Sequence, residues 1–554
     1  MRNVNTLRAL IENSEQLYGD NSAFVLKNEK GELYNVSYKA FLKDIDSLGF
    51  GIYSMKERKN IKVALCSKNC YEWCVTYFAV ASGDGVIVPV DKDLSSEQIK
   101  RIFDFAAIDI VVCDEECCKK VMEFYDEAQN KPVIICTKNT ENSIVHSFEN
   151  IKVKGEELKM MSLSSYVSEG RDENDLAVLL FTSGTTSVPK GVMLSGKNIC
   201  SDLKNVCRCV SITQHDVSLS VLPLHHTYEA IAFLMIIYRG GTITFCQGLR
   251  YLKQNFLEYK PTVFVTVPLI LEKLHKRITE EMENEGKRSK VKVLSLMSGI
   301  ISEEKRKKIF EKIHMNFGGR LRKIIVGAAE LKSETAEDFE LFGIPVIFGY
   351  GLTECSPIVI CNGDEDRKRG SIGKPLDEVQ VKIINKDKDG IGEICVKGPM
   401  VMLGYYNNQA ATDEVLIDGF LHTGDLGFCD DKGYYYITGR SKNVIVTSTG
   451  KNIYPEEIES YFNASDLVSE VVVSSCGDII TAQIYPDISI MEKKLKRRNL
   501  SDSDIKKLLN EVVRAVNKKL PSYKRVKKLV VRKEDFAKTT THKIKRYDEK
   551  GADT

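Results

Sequence analysis

The chain has 554 residues, of which 43% are hydrophobic and 28% charged, and its formal net charge is +2. This composition is ordinary for a soluble globular protein and excludes wholesale disorder, and the near-neutral charge argues against a dedicated nucleic-acid binder. The length predicts two to four compact units.

The first twenty residues are polar throughout and lack the apolar core of a signal peptide. No run reaches 18 apolar residues, so we expect no transmembrane segment and interpret residues 230–238 as a buried helix. The sixteen cysteines predict free thiols in a reducing compartment, and therefore a cytoplasmic protein. Two groups lack paired zinc-site spacing and are interpreted as buried thiols: Cys113, Cys117 and Cys118, and Cys200, Cys207 and Cys209.

Apolar runs alternate with helical patterns over most of the chain. Buried strands are predicted at residues 63–67, 85–91, 109–114, 132–137 and 177–184. A helix is predicted between them at 95–107. This alternation predicts an α/β fold built of layered subdomains with mostly parallel sheets.

The pattern changes after Arg440. Strands are predicted at 442–448, 470–476 and 481–487, with helices opening at Pro455 and running from Ser501 to Lys519. We therefore predict a core domain at 1–440 and a small α+β domain at 441–554, joined by a linker near residues 440–443.

A loop rich in hydroxyl side chains follows the predicted strand at 177–184. Its sequence at 181–192 is FTSGTTSVPKGV, and the phosphate-binding candidates are Thr182, Ser183, Gly184, Thr185, Thr186 and Lys190. Backbone N–H groups and hydroxyls can wrap a polyphosphate while Lys190 supplies a cation. The loop differs from the P-loop NTPase motif because no Gly-Lys-Ser/Thr closes it before a helix.

Together with GYGLTE at 349–354, LHTGD at 421–425 and GRSK at 439–442, this loop resembles the adenylate-forming superfamily of acyl-CoA synthetases, adenylation domains and luciferases. The motifs occur in order over essentially the whole chain. The resemblance implies activation of a carboxylic acid by ATP and Mg²⁺ to an acyl-AMP, followed by transfer to a thiol.

The resemblance also implies roles for the nucleotide-binding residues. Tyr350 stacks on adenine, Thr353 contacts the phosphates and Glu354 holds Mg²⁺. Asp425 accepts both ribose hydroxyls, and Arg440 binds the ribose or phosphate side of the nucleotide. The adenine wall is assigned to Gly327, Ala328 and Ala329, where the usual Gly-Gly-Ala-Pro has become Gly-Ala-Ala-Glu. In the loop, Ser187 stands where the family usually has glycine.

Near the C-terminus, residues 538–546 resemble the family segment that carries the adenylation lysine. The alignment assigns that role to Lys543, with Lys545 as the competing assignment. Ala537 and His542 depart from the proline and glycine that are usual there.

For the second step, Asn443 is assigned as the hinge about which the small domain rotates. Rotation would bring Gly450 and Lys451 to the side of the site that receives the thiol.

The segment PLHHTYE at 223–229 lies where the acyl pocket of the family begins, and His226 aligns with its pocket histidine. It resembles long-chain acyl-CoA synthetases more than amino-acid-activating domains, so a fatty or other hydrophobic acid is expected.

The acceptor is expected to be CoA, and the phosphopantetheine of an acyl carrier protein is the competing acceptor. Residues 491–554 carry 21 Lys/Arg against 9 Asp/Glu, which suits either anionic partner or a solvated basic helix face. A degenerate nucleotide-binding protein, which the departures at Ala537 and His542 would favour, and a luciferase-like oxygenase also stay open. So does the oligomeric state.

Overall fold

The computed structural model describes residues 4–56, 60–138, 141–161, 166, 171–182, 190–284, 286, 302–446, 452–477, 479–538, 544 and 546. The chain forms two compact units. The first comprises residues 1–380 and 396–421, and the second comprises residues 381–395 and 422–554.

Two sheets with mostly parallel pairing are the framework of the first unit. The spatial order of the nine-stranded sheet is Lys374–Pro375, Ile358–Cys361, Val346–Gly351, Lys323–Gly327, Val263–Thr266, Val217–Ser220, Thr242–Phe245, Ser22–Lys27 and Leu33–Ser37. The order of the eight-stranded sheet is Gly404–Tyr405, Lys190–Ser195, Leu176–Thr182, Val86–Pro89, Lys62–Cys66, Ile110–Cys113, Val133–Cys136 and Val145–Ser147. The five strands predicted between residues 63 and 184 all lie in this second sheet.

The described helices of the first unit are Leu7–Tyr18, Tyr38–Met55, Tyr71–Ala81, Ser96–Ala106, Glu115–Phe124, Phe148–Met160, Gly196–Cys209, Thr227–Tyr238, Leu252–Tyr259, Pro268–Asn284, Glu303–Ile309, Glu311–Asn316, Ser333–Leu341 and Gln409–Val415. Ser95 opens the predicted helix at 96–106 with a capping box. The apolar run at 230–238 belongs to the helix Thr227–Tyr238 and is buried, as predicted. Among the described residues, no helix is long and apolar enough to cross a membrane.

The cysteines support the expectation of free thiols. Cys113, Cys117 and Cys118 are buried in the apolar cluster around the eight-stranded sheet. Cys200 and Cys207 are buried as well, while Cys209 is half-buried. Every cysteine whose side chain is described is free.

The second unit has a small α+β core. Its sheet orders Val468–Cys476, Ile479–Pro486 and Lys528–Val531, and its helices are Pro455–Asn463, Ile488–Leu495 and Asp502–Lys519. A further sheet orders Gln380–Ile384, Gly392–Lys397 and Phe420–Cys429, with Tyr435–Arg440 pairing Phe420–Cys429. Leu416–Ile417 is a two-residue strand of the first unit.

The strand predicted at 442–448 begins later than expected, at Ile445. It comprises Ile445–Val446, paired with Asn452–Ile453. Residues Ser441–Asn443 form a 3₁₀ turn instead. The turn directs the Val444 N–H to the Ser441 carbonyl at 3.4 Å, so that donor does not join a ladder. Residues 447–451 lie outside the described residues.

Candidate active site

The adenine-site candidates of the first unit meet at the carboxyl ends of two parallel strands. Lys323–Gly327 and Val346–Gly351 are neighbours, and Gly327 lies opposite Gly349 in their register. This register brings the segment Gly327 to Ala329 beside Tyr350. Ligands in α/β sheets bind preferentially at such strand ends.

Close backbone approach explains the glycines in these motifs. A Cβ on Gly351 would lie 1.6 Å from the Pro357 carbonyl oxygen, and one on Gly327 would lie 3.1 Å from the Tyr228 ring. Ala328 has a φ of +71°, a left-handed conformation that costs a residue with a Cβ about 1 kcal/mol relative to glycine. The departure from the usual Gly-Gly pair therefore falls at a position where the backbone favours glycine.

Tyr405 connects the candidate phosphate lysine to the candidate metal carboxylate. The Lys190 Nζ lies 5.1 Å from the centroid of the Tyr405 ring, within the range of a cation–π contact. The Tyr405 hydroxyl donates to Glu354 Oε1 at 2.9 Å. Burial, together with the Glu354 carboxylate, raises the pKa of Tyr405, so this tyrosine remains a donor. These two contacts bring a cation, a hydroxyl and a carboxylate together.

Strand pairing places Tyr405 at this position. The two-residue strand Gly404–Tyr405 adds to the edge of the eight-stranded sheet, with Tyr405 opposite Val192. Sequence reasoning missed Tyr405 because it is one of 23 tyrosines and lies in a strand too short to show a pattern.

The end of the candidate acyl segment reaches the phosphate side of the site. Thr227 Oγ1 and Thr353 Oγ1 are 3.5 Å apart. His226 is the N-cap residue of the helix Thr227–Tyr238, and its ring centroid lies 4.2 Å from that of His225. Burial lowers the pKa of His225, which favours its neutral form. The candidate acyl segment and the candidate phosphate residue are therefore in contact through Thr227 and Thr353.

A buried carboxyl group lies in the same segment and bonds to the strand Val217–Ser220. Glu229 is 3% exposed, and its Oε1 accepts from the Ser220 hydroxyl at 2.5 Å while its Oε2 has no hydrogen-bond partner. Asn69 donates to Ser220 Oγ at 3.0 Å and to the Leu222 carbonyl at 2.7 Å. Burial raises the pKa of Glu229 to about 8.

Replacing Glu229 by glutamine is expected to stabilise the first unit increasingly as pH rises from about 4.5 to about 8. The unfolded wild-type carboxyl loses its proton at lower pH than the folded one, so wild-type stability falls across this window. Glu229→Gln stays neutral and keeps the acceptor for Ser220. The difference in unfolding free energy should grow by up to about 1.4 kcal/mol per pH unit.

Urea unfolding at several pH values measures this difference. Glu29→Gln, at an exposed position, is the matched control and should show no such trend. A constant difference between Glu229→Gln and wild type across the window would contradict the raised pKa.

An apolar cavity of about 20 Å³ lies beside Thr227. Its lining includes Tyr77, Leu180, Leu194, Ala230, Ile231 and Leu234. The volume holds about one water-sized group, so a larger apolar ligand has to displace side chains. Ala230, Ile231 and Leu234 belong to the helix Thr227–Tyr238, so the cavity lies along the helix that follows His226.

In the second unit, the candidate ribose residue and the candidate nucleotide arginine form an ion pair. Asp425 and Arg440 are opposite each other on antiparallel strands, and Arg440 Nε lies 2.6 Å from Asp425 Oδ1. The Asp425 side chain is 8% exposed and that of Arg440 is 45% exposed. The guanidinium thereby fixes a buried carboxylate and still reaches solvent.

The candidate hinge residue belongs to a polar cluster of the second unit. Asn443 Nδ2 donates to Glu456 Oε1 at 2.6 Å, and Arg546 lies 3.7 Å from the same oxygen. Arg546 also pairs with the buried Glu459. Lys538 and Ile544 form an isolated antiparallel bridge. The residues flanking the candidate adenylation lysine are therefore held in place, Arg546 by the helix Pro455–Asn463 and Ile544 by the bridge.

Several candidates lie outside the described residues. They are Ser183, Gly184, Thr185, Thr186, Gly450, Lys451 and Lys543. Their assigned roles therefore stay predictions.

Comparisons with known proteins identify the family to which the sequence is similar. The AMP-binding enzyme family matches residues 11–406, and the AMP-binding enzyme C-terminal domain matches residues 442–548. Long-chain-fatty-acid–CoA ligase 1 of Cavia porcellus is 30% identical, over 86% of this chain and 74% of that protein. Long-chain-fatty-acid–CoA ligase FadD15 of Mycobacterium bovis is 26% identical, over 91% of this chain and 88% of that protein.

Among solved structures, the anthranilate CoA ligase AuaEII in complex with anthranoyl-AMP has a TM-score of 0.77 and 18% identity, covering 99% of this chain and 97% of that one. At 18% identity, the similarity between the two structures shows a shared fold only. The predicted α/β fold with mostly parallel sheets is confirmed.

Proposed function

The chain belongs to the AMP-binding enzyme family, and from this we propose that it is an AMP-forming acid–thiol ligase that activates a long-chain fatty acid. In the first step a carboxylate oxygen attacks the α-phosphorus of ATP, the bond to the β-phosphate oxygen breaks and pyrophosphate leaves. In the second step a thiolate attacks the acyl carbonyl of the acyl-AMP, and AMP leaves.

The observation that carries this proposal is the alignment of Lys190, Tyr405 and Glu354 beside the strand end that bears Tyr350. Transfer to the α-phosphorus needs charge neutralisation and positioning more than covalent help. Lys190 and the loop hydroxyls would hold the leaving pyrophosphate. Tyr405 would keep Glu354 oriented by its hydrogen bond.

The oxygen donors at this point fit Mg²⁺. Glu354 offers a half-buried carboxylate, and the Thr353 hydroxyl is adjacent in sequence. Hard cations bind one or two carboxylates together with water and phosphate oxygens. When bound, the ion would neutralise charge on the pyrophosphate.

The Asp425–Arg440 pair would bind the ribose side of the nucleotide. An ionised carboxylate is an acceptor and suits a vicinal diol. Arg440 forms an ion pair with Oδ1 of Asp425. We therefore propose that it orients this carboxylate as well as binding the nucleotide.

The small domain at 441–554 would supply Lys543 for the first step. Lys543 would lie between the substrate carboxylate and the α-phosphate, where its charge stabilises the transition state. Rotation about Asn443 would then replace Lys543 by the segment with Gly450 and Lys451, where glycine leaves room for a pantetheine arm. Because Asn443 donates a hydrogen bond to Glu456, rotation about Asn443 would strain or break this bond.

We propose CoA as the acceptor. The relatives named above are CoA ligases, which favours CoA over a carrier protein. The basic segment 491–554 suits the phosphates of CoA. Free thiols in the described residues fit a reducing compartment, so the cytoplasm is the proposed location.

A hydrophobic acid is supported by the walls of the cavity beside Thr227. The relatives named above are ligases of long-chain fatty acids. The carboxylate would lie near Thr227 and His226, and the chain would extend along the helix Thr227–Tyr238.

Acid-dependent pyrophosphate release from ATP tests this proposal across saturated fatty acids, aromatic acids and amino acids. Release with long fatty acids and thioester formation with CoA are expected. Thioester formation with a carrier protein but not with CoA would establish the competing acceptor. Tight ATP binding without release on any acid would establish the degenerate binding protein.

The variant Ala230→Phe is expected to shift selectivity toward shorter acids. Its ring is larger than the cavity and would occupy the space into which a long chain has to extend, so kcat/KM for acids of 16 carbons should fall by roughly 10–200-fold, the usual cost of a mismatched apolar pocket. Activity on acids of six to eight carbons serves as the internal control. Equal losses for short and long acids would show that the chain lies elsewhere.

A further inference from the structure

Three potential metal ligands cluster on two neighbouring strands of the second unit. They are Glu393 and Cys395 on Gly392–Lys397, and His422 on Phe420–Cys429. One ligand atom from each lies within 4.8 Å of the others. Residues two apart on a strand share a face, which places Glu393 and Cys395 together beside the neighbouring strand.

The distances suit a tetrahedral ion. His422 Nδ1 and Glu393 Oε2 are 3.2 Å apart. Zinc–nitrogen and zinc–oxygen bonds of about 2.1 Å give a tetrahedral ligand separation of roughly 3.4 Å. Cys395 is fully buried, while the side chains of His422 and Glu393 are each 20% exposed. Two of the three ligand side chains are therefore partly accessible to solvent.

The donor set selects the kind of ion. A thiolate and an imidazole favour zinc over magnesium or calcium, which prefer oxygen ligands. Lys382, on the adjoining strand, interacts electrostatically with Cys395. A bound cation would therefore have to bind the thiolate beside this positive charge.

We propose that Glu393, Cys395 and His422 form a binding site for a zinc ion, with water as the fourth ligand. This site is distinct from the magnesium position proposed at Glu354.

Occupancy would act on nucleotide binding. Glu393 Oε1 accepts from the Gly424 N–H at 3.0 Å, and Thr423 Oγ1 donates to the Ile394 carbonyl at 2.7 Å. These bonds align the segment that leads into Asp425. Recruiting Glu393 and His422 to a metal alters this alignment, so zinc is expected to weaken ATP binding by about fivefold or more, the lower end of the usual coupling between two sites.

Cobalt(II) is the probe for ligation because it reports both geometry and sulfur. The full chain without acid, CoA or nucleotide should bind one Co²⁺ with tetrahedral d–d bands and a thiolate charge-transfer band, and excess Mg²⁺ should not displace it. Cys395→Ser should lose the charge-transfer band. Cys429→Ser, at an exposed cysteine of the neighbouring strand, is the matched control and should keep it.

ATP binding with and without Zn²⁺ is then compared in the same proteins. The zinc effect should vanish in Cys395→Ser and persist in Cys429→Ser. If Cys395→Ser fails to fold, His422→Gln serves instead and should lose the tetrahedral bands.

Unchanged bands in Cys395→Ser or His422→Gln, or no binding at micromolar Co²⁺, would overturn the proposal and leave an ordinary His422–Glu393 hydrogen bond. Because ligation is read without acid or thiol, this result is independent of whether the ligase activity is found.

Discussion

Lys543→Ala is expected to lower acid-dependent pyrophosphate release by roughly 10²–10³-fold, the usual cost of removing one preorganised group that stabilises transition-state charge. The lysine would meet negative charge shared between the carboxylate and the α-phosphate, and alanine leaves that charge unmatched. The measurement is the rate of pyrophosphate release at saturating ATP and fatty acid.

Lys545→Ala is the matched control because Lys545 is the competing assignment. It should keep most of the activity. Thioester formation from supplied acyl-AMP and CoA should survive in Lys543→Ala, since the proposed rotation withdraws this lysine before the second step. Equal loss of both half-reactions would mean that Lys543 supports the fold of the second unit, and a larger loss in Lys545→Ala would reverse the assignment.

The contacts of Ile544 and Arg546 describe the surroundings of the two candidate lysines, Lys543 and Lys545. Arg546 pairs with Glu459 and lies near Glu456, and Ile544 is bridged to Lys538. Ile544 and Arg546 are the two residues that match the family when Lys543 is the catalytic lysine. Lys543 and Lys545 themselves lie outside the described residues, so the assignment to Lys543 depends on this match, and the two variants decide it.

Glu354→Gln is expected to lower pyrophosphate release by roughly 100-fold and to raise the Mg²⁺ concentration needed for half-maximal rate. Glutamine keeps the size of the side chain and an acceptor for Tyr405, but it removes the negative charge that a hard cation requires. Titration of the rate with Mg²⁺ measures both effects.

Tyr405→Phe separates positioning from ligation. It keeps the carboxylate and the aromatic face for Lys190 but removes the O–H donor, so a loss of pyrophosphate release of about tenfold is expected, near the value of one hydrogen bond to a charged group.

An unchanged Mg²⁺ requirement in Glu354→Gln would contradict the metal assignment. A loss in Tyr405→Phe equal to that in Glu354→Gln would indicate that orientation matters more than charge.

Local features were predictable from the sequence because their causes lie within a few residues. The buried strands between 63 and 184 are continuous apolar runs, and the helix at 96–106 has its cap at Ser95. The motif at 349–354 was recognisable without its contacts. Even the requirement for glycine at Gly351 follows from a neighbour six residues away, the Pro357 carbonyl.

The strand predicted at 442–448 shows where local reasoning fails. Its apolar residues favour an extended backbone, yet residues 441–443 turn. Asn443 donates to Glu456, thirteen residues further on, and this partner is invisible to a pattern read along the chain.

The sequence by itself determined the α/β class, the family and the chemical types of the candidate residues, because hydrophobic periodicity and short motifs are local properties. Tertiary structure alone decided which groups meet: Tyr405 with Glu354, Arg440 with Asp425, and Glu393 with His422. Each pair depends on strand register or on chain segments 15 to 51 residues apart. Register is fixed by packing of the whole sheet, so the partners of these groups follow from the fold and not from the neighbouring sequence.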